Sequence, residues 1–316
     1  MQLATWIKNI QMNPKAKVEG IAIFSNSILV IGKFITGLLT GSVGIIAEAI
    51  HSSIDLVSSL IAFTSVNISS RPADKDHRYG HGKAENIAGT IEAALIFIAA
   101  IMILERAYKR IMGGGEVENA LFGVAVMAIA TVINFIVSRI LLSNGKKLES
   151  VALEADGMHL LADVYTSLGV LIGMVAIWLT GINIIDPVIA ILVGLIIIKA
   201  AFDIGLKSIK PLMDKSLSSA EESIIVQTLN KLEATGMVGF HELRTRRSGS
   251  DRFVDLHLVV KPDLSIAEVH NICDLVEEEL SAVLPSMNVL VHAEPCEEDD
   301  CPHCQTGCER LRLKNN

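Results

Sequence analysis

The chain has 316 residues, of which 51% are hydrophobic and 20% charged, with a formal net charge of -8, a mean hydropathy of +0.48 and a sequence pI near 5.6. That is too apolar for an ordinary soluble protein of this length. The acidic balance also excludes the basic footprint that nucleic-acid binding requires.

The first 17 residues form a polar segment carrying Lys8, Lys15 and Lys17. Long apolar segments then follow at 18–39, 43–66, 87–104, 120–142, 158–179 and 184–205. Each covers the ~20 residues that a helix needs to span a bilayer. The first has no small-residue cleavage site and is followed by more apolar segments, so it reads as a retained helix. Lys8, Lys15, Lys17, Arg71, Lys75, Arg78, Lys83, Lys146, Lys147, Lys207 and Lys210 all fall on one side of a six-helix arrangement. Arg106, Lys109 and Arg110, close to Glu105, Glu116 and Glu118, fall on the other. Retention of basic residues in cytoplasmic loops then puts both termini in the cytoplasm, and in a bacterium the membrane would be the inner one.

After about residue 208 the long apolar blocks give way to short amphipathic elements, with 209–214 as a linker. The pattern predicts a helix over 217–235 with Ser218 and Ser219 as caps, and a weaker strand near 241–246. A strand over 252–260, a helix over 265–283 and a strand over 287–292 follow. The order αββαβ implies an α+β, ferredoxin-like layer of helices on one face of a small sheet. The expected divisions are an N-terminal segment 1–17, a six-helix transmembrane domain 18–208, a soluble domain 209–295 and a Cys-rich tail 296–316.

A repeat lies inside the apolar part. Ala47, Glu48, His51, Asp55, Ser59 and Leu60 reappear at constant offset as Ala155, Asp156, His159, Asp163, Ser167 and Leu168. His and Asp four residues apart share one helical face, so two such helices offer four donors to one point. Imidazole nitrogen and carboxylate oxygen suit tetrahedral Zn²⁺, whereas Mg²⁺ and Ca²⁺ want more oxygens. Fe²⁺, Co²⁺, Ni²⁺, Cd²⁺ and Mn²⁺ remain compatible with the same donors. Two aspartates balance either one divalent cation or two protons held on the histidines, so metal and protons can compete for His51, Asp55, His159 and Asp163. The alternative, isolated polar residues hydrogen-bonded between helices, fits matched ionisable pairs poorly. Glu48 and Asp156 read either as groups that tune the histidines or as cavity wall. Asn26, Lys33, Glu92 and Asn134 read as packing or snorkelling residues.

The segments GSVGIIAEAIHSSID, RPADKDHRYGHGKAE, HLLAD, GFHELRTRRSG and VLVHAEPC resemble those of the cation diffusion facilitators, a family of metal/proton antiporters, over residues 10–296. The resemblance implies a homodimer in the lipid bilayer, alternating access at the intramembrane site, and further metal sites in the soluble part. His at both variable ligand positions is similar to the zinc-transporting members, with zinc as cargo and regulatory ligand and protons as the counter-ion.

Asp74, His77 and His81 can gather around an ion, with Gly80 and Gly82 permitting a tight backbone, or form only a solvated loop. Similar residues form a loop site in the family. Lys83 resembles the family lysine that pairs with an aspartate after the sixth helix, here Asp214; an inconsequential surface pair is the alternative. His292 and Glu294 share a strand face, and His241, His257 and His270 could join them, perhaps from two subunits; the family places a dimer-bridging metal cluster at matching positions. Cys301, Cys304 and Cys308, with His303 and Cys296 nearby, read either as a metal-capturing tail or as reduced thiols. No HExxH occurs and the four-donor set leaves no open position, which weighs against an intramembrane metalloenzyme. A membrane-tethered metal sensor is the other alternative.

Overall fold

The computed structural model describes residues 13–40, 43–113, 121–180, 184–232 and 237–296, apart from some side chains within helices. Two compact units divide at Lys210 and Pro211.

Among the described residues the first unit has six long helices: α1 (Pro14–Thr40), α2 (Val43–Ser69), α3 (Lys83–Gly113), α4 (Leu121–Lys147), α5 (Val151–Thr180) and α6 (Ile185–Leu212). A helix satisfies its own backbone donors and acceptors, which is what a hydrocarbon environment demands. Large apolar side chains point outward, among them Phe24 (69% exposed), Leu38 (72%) and Leu39 (83%). Small and polar ones point inward, including Ala22, Ala62, Ser58, Ser59 and Asp156. This inverts the pattern of a water-soluble bundle. Among the described residues, Pro14–Leu39, Lys83–Lys109, Ala128–Lys147 and Pro187–Leu212 are long and apolar enough to cross a bilayer. Each helix exceeds its apolar segment at one or both ends, because polar turns continue the same hydrogen-bonded backbone beyond the apolar stretch. The segment 209–214, expected as a linker, is helical through Leu212, and Pro211, which has no N–H to donate to the preceding turn, stands at the point where the helix ends.

Inside this unit α1 packs on α2, α4 on α5, and α3 and α2 on α5. Helix α5 approaches α4 at Gly157, where an added Cβ would lie 3.0 Å from Leu141 Cβ and 3.1 Å from the Leu142 backbone nitrogen. A side chain here would push α4 back by a few tenths of an ångström, so glycine suits this close approach two residues before His159. At one end, buried Glu85 of α3 accepts from Lys15 Nζ of α1 at 2.6 Å, from Ser69 Oγ of α2 at 2.8 Å and from Ser150 Oγ, just before α5, at 2.5 Å.

The second unit runs α7 (Ser219–Leu232), β1 (Met237–Ser248), β2 (Asp251–Val260), α8 (Ile266–Val283) and β3 (Met287–Pro295). The sheet order is β1-β2-β3. β1 and β2 form an antiparallel hairpin turning at Gly249, whose φ is 61°. β3 runs parallel to β2, which requires the crossover that α8 supplies. Ser265 and Glu268 form a reciprocal cap at the start of α8, and Ser218 with Glu221 does the same for α7. Alternate residues Val254, Leu256, Leu258 and Val260 of β2 are buried against Ile225, Leu229, Ile272, Val276 and Leu280 of the helices. The residues between them, notably Asp255 and His257, therefore occupy the face away from the helices.

Candidate metal centres

The repeat places its donors on α2 and α5. His159 Nε2 lies 3.3 Å from Asp55 Oδ1, both side chains being nearly buried. A carboxylate oxygen of Asp163 falls within 4.8 Å of the donors of Asp55 and His159. His51 occupies α2 one turn before Asp55, but its side chain lies outside the described residues, as does that of Glu48. Donors of three residues thus converge at one buried point in the first unit.

The sequence did not reveal what surrounds them. Glu92 of α3, read from sequence as a packing residue, lies against the site: its Oε2 is 3.8 Å from His159 Nδ1 and accepts from Ser58 Oγ at 2.9 Å. Asp156 accepts from Ser59 Oγ at 3.2 Å, and Asn26 Nδ2 donates to Ser59 Oγ at 3.0 Å. Lys33 Nζ donates to Ser52 Oγ at 2.7 Å. Asn26 and Lys33 therefore tie α1 to α2, as expected for packing residues. The Asn134 side-chain oxygen is buried without a hydrogen-bond partner among the described residues. Glu19 of α1 is fully buried and faces Asp156. Its only signal in the sequence is a carboxylate at the edge of an apolar segment.

Between α2 and α3, Asp74 Oδ2 is 3.2 Å from His81 Nε2 and Asp74 Oδ1 is 3.4 Å from His77 Nδ1. The loop is shaped by Asp74 itself, which accepts the backbone N–H of His77 at 2.6 Å and of Asp76 at 2.9 Å, and by Gly80, whose φ is 81°. Those backbone donors, the one from His77 foremost, hold the Asp74 carboxyl below the usual carboxylate range. Asp74, His77 and His81 offer three donors within 4.8 Å of one another.

In the second unit, strand register aligns His241, His257 and His292 in one row across the sheet. The ring centroids of His257 and His292 are 4.7 Å apart. Glu294 touches His241 and its Oε2 lies 3.3 Å from His257 Nδ1. These contacts, the hydrogen bond with His241 first, pull the Glu294 carboxyl below its ordinary range. His241, His257 and Glu294 bring donors within 4.8 Å of one another. Glu242 joins them unexpectedly. An irregularity in β1 between His241 and Arg244 gives Glu242 a φ of 48°, and its carboxylate reaches within 3.7 Å of His257 Nε2. No sequence pattern announces such a bulge.

His270 stands apart from that row within the chain. It is exposed on α8 with its Nε2 3.6 Å from Asp274 Oδ2. Lys83 begins α3 in the first unit, whereas Asp214 belongs to the second and lies 3.7 Å from Arg246. Cys296 is a half-buried free thiol whose backbone N–H donates to Val260 at 2.9 Å. Cys301, His303, Cys304 and Cys308 lie outside the described residues.

A cation efflux transmembrane domain matches residues 21–213, and the cytoplasmic domain of cation efflux proteins matches 217–296. An uncharacterized transporter of Synechocystis is 35% identical over 82% of this chain and 84% of its own. The cation-efflux pump FieF of Yersinia pestis is 30% identical over 93% of this chain and 95% of its own. A solved structure of CzrB in its zinc form is 32% identical, covering 28% of this chain and 99% of that chain, with a TM-score of 0.26. Two adjoining domain matches and relatives that span nearly the whole length identify the chain as a member of the cation efflux, or cation diffusion facilitator, family.

Proposed function

We propose that this cation efflux protein exports a divalent transition-metal ion, zinc before others, in exchange for protons at a four-donor site of His51, Asp55, His159 and Asp163. The observation that carries the reading is the buried meeting of Asp55, His159 and Asp163 donors from two different helices. Nitrogen and carboxylate donors in equal number suit a borderline cation in tetrahedral geometry. Two carboxylates match the charge of one M²⁺ or of two imidazolium protons, so each loading state is nearly neutral in a medium where net charge is costly. Opening the site alternately to either side would exchange the two loads.

The remaining roles follow the same logic. The six helices of the first unit each span the bilayer, and both termini lie in the cytoplasm. The second unit binds metal through His241, His257 and Glu294, with Glu242 and His292 alongside. His270, remote from that row within the chain, would act across a homodimer. Metal held there favours one arrangement of the dimer and thereby biases transport. Asp74, His77 and His81 form a weaker loop site, and the tail from Cys296 through Cys301, His303, Cys304 and Cys308 captures soft metal ions.

The test is purified protein in sealed liposomes carrying a zinc reporter and a pH reporter. Zinc entry accompanied by proton movement in the opposite direction is the expected result. Zinc binding without flux would instead fit a tethered sensor.

A further inference from the structure

Glu19 is fully buried, and neither of its carboxylate oxygens has a hydrogen-bond partner among the described residues. It faces Asp156 of α5, which is also fully buried. We infer that Glu19 and Asp156 form a proton-holding carboxyl pair, distinct from the metal donors, in which a proton exchanged for metal resides.

Charge and geometry carry the inference. Two facing carboxylates withdrawn from water repel each other and lose their hydration, so the pair needs a cation between or beside them. Among the described residues no hydrogen bond joins either carboxyl to a basic side chain. Lys15, one turn before Glu19, donates to Glu85, and Lys33 donates to Ser52. The other ionisable groups that face the pair are Asp55 from α2, Glu92 and Glu85 from α3, and His159 from α5. Helix α4, which packs on α1, turns Arg139, Lys146 and Lys147 outward. The neighbours are thus mostly acidic and deepen the need for positive charge.

A proton meets that need better than zinc. The two carboxyls offer only oxygen donors, Ser59 Oγ donates to one of them, and His159, the imidazole described nearby, already belongs to the metal donors, so the pair itself is not a borderline-metal set. One shared proton converts two repelling carboxylates into a strong charge-assisted hydrogen bond. Ser59 Oγ donates to Asp156 at 3.2 Å, which favours Asp156 as the ionised partner and Glu19 as the acid. Asp156 also lies on α5 one turn before His159, so any shift of α5 that opens the metal site changes the carboxyl separation as well. Proton release and metal access are thereby joined on one helix.

The role in exchange rests on the proton-coupled reading given above, so the test has two separable arms using the full chain in lipid. Infrared difference spectra of parent against Glu19→Gln and Glu19→Gln/Asp156→Asn are expected to show a protonated carboxyl C=O band at neutral pH, sensitive to deuteration. In liposomes the Glu19→Gln protein is expected to keep its metal affinity and stoichiometry while the proton-to-zinc ratio falls by about one. A difference spectrum containing only ionised carboxylate bands would overturn the pair as a proton site. Loss of one bound metal in the variant would overturn it too, by assigning the carboxyls to metal. If the parent itself moves zinc without protons, the exchange reading fails and so does the pair's role in it, while the infrared band still decides whether a proton is held there.

Discussion

Replacing Asp55 by Asn is the sharpest probe of the intramembrane site. The residue is 4% exposed and its Oδ1 lies 3.3 Å from His159 Nε2, so the amide keeps shape and removes charge. With zinc bound, the parent site sums to zero, and the variant retains one uncompensated positive charge. A unit charge about 4 Å away at an effective dielectric near 20 contributes ~4 kcal/mol. Divided by ~1.4 kcal/mol per decade, that is roughly a thousandfold loss of affinity. The proton-loaded state suffers as well, because His159 loses the carboxylate that stabilises its imidazolium form. Zinc binding by competition with a chelating dye, together with liposome flux across a zinc series, measures both. Glu105→Gln is the control, since Glu105 is an exposed residue that pairs with Lys109 one turn away and is not among the metal donors. Affinity within about threefold of the parent and near-normal flux in Asp55→Asn would show that Asp55 does not hold the metal.

Other perturbations separate structure from transport. Glu294→Gln removes the charge shared by His241 and His257, and is expected to weaken zinc binding by the second unit by tenfold or more, roughly, while leaving flux at saturating zinc unchanged in a liposome assay. Ser265→Ala deletes the cap of α8 and is expected to cost about 1 kcal/mol, read as faster amide exchange confined to its first turn. Burial opposes ionisation of Glu221, but Ser218, Arg247 and Arg252 outweigh it and hold its carboxyl below the ordinary value of 4.5. The stability this contributes is present above that ordinary value and is lost as pH falls through the lower folded one, so Glu221→Gln should flatten the acid limb of the second unit's unfolding curve. Glu85→Gln leaves the Lys15 ammonium buried without its counter-charge and is expected to cost ~3–5 kcal/mol, whereas Lys15→Met with Glu85→Leu should cost far less; detergent melting curves test the contrast.

How much of this could be read from the sequence depends on whether a feature repeats. The His and Asp pairs of α2 and α5 recur at a fixed offset, so helical geometry alone brings each pair to one face, and pairing two such faces needs little further information. The element order of the second unit was equally accessible, because in β2 Val254, Leu256 and Leu258 alternate with Asp255 and His257. Glu92 and Glu19 were not. Each is an isolated carboxylate within or at the edge of an apolar run, and whether it snorkels outward or meets a neighbour depends on helix rotation, which one helix cannot specify. Glu242 was hidden for a different reason: a bulge reverses the alternation that strand reading assumes. Whether His270 meets the others within one chain or from a second subunit was left open by the sequence, because five histidine and glutamate donors in one domain look interchangeable until α8 and the sheet take their places.

The two units are held together by different forces, and that difference bears on transport. The second unit has a core of large aliphatic residues, Ile225, Leu229, Leu256, Leu258, Val276 and Leu280, whose burial from water is driven by the hydrophobic effect at ~25 cal/mol per Å². Any shear of its sheet against its helices exposes that area, so the unit behaves as a rigid body. The first unit cannot use the same force, because lipid is as apolar as leucine. Besides aliphatic contacts such as Leu141 with Leu153 and Leu160, its helix contacts draw on Ala16, Ala62, Ala88 and Ala152, on the close approach at Gly157, and on hydrogen bonds such as Asn26 to Ser59. Small side chains present low ridges, so one helix can slide past another without forcing large groups through each other. Such hydrogen bonds contribute only about 0.6 kcal/mol each on average. On the proposed exchange, alternating access would separate and rejoin α2 and α5 around Asp55, His159 and Asp163, and contacts made by small residues such as Ala62 and Ala152 and by the Ser59–Asp156 hydrogen bond would ease that movement.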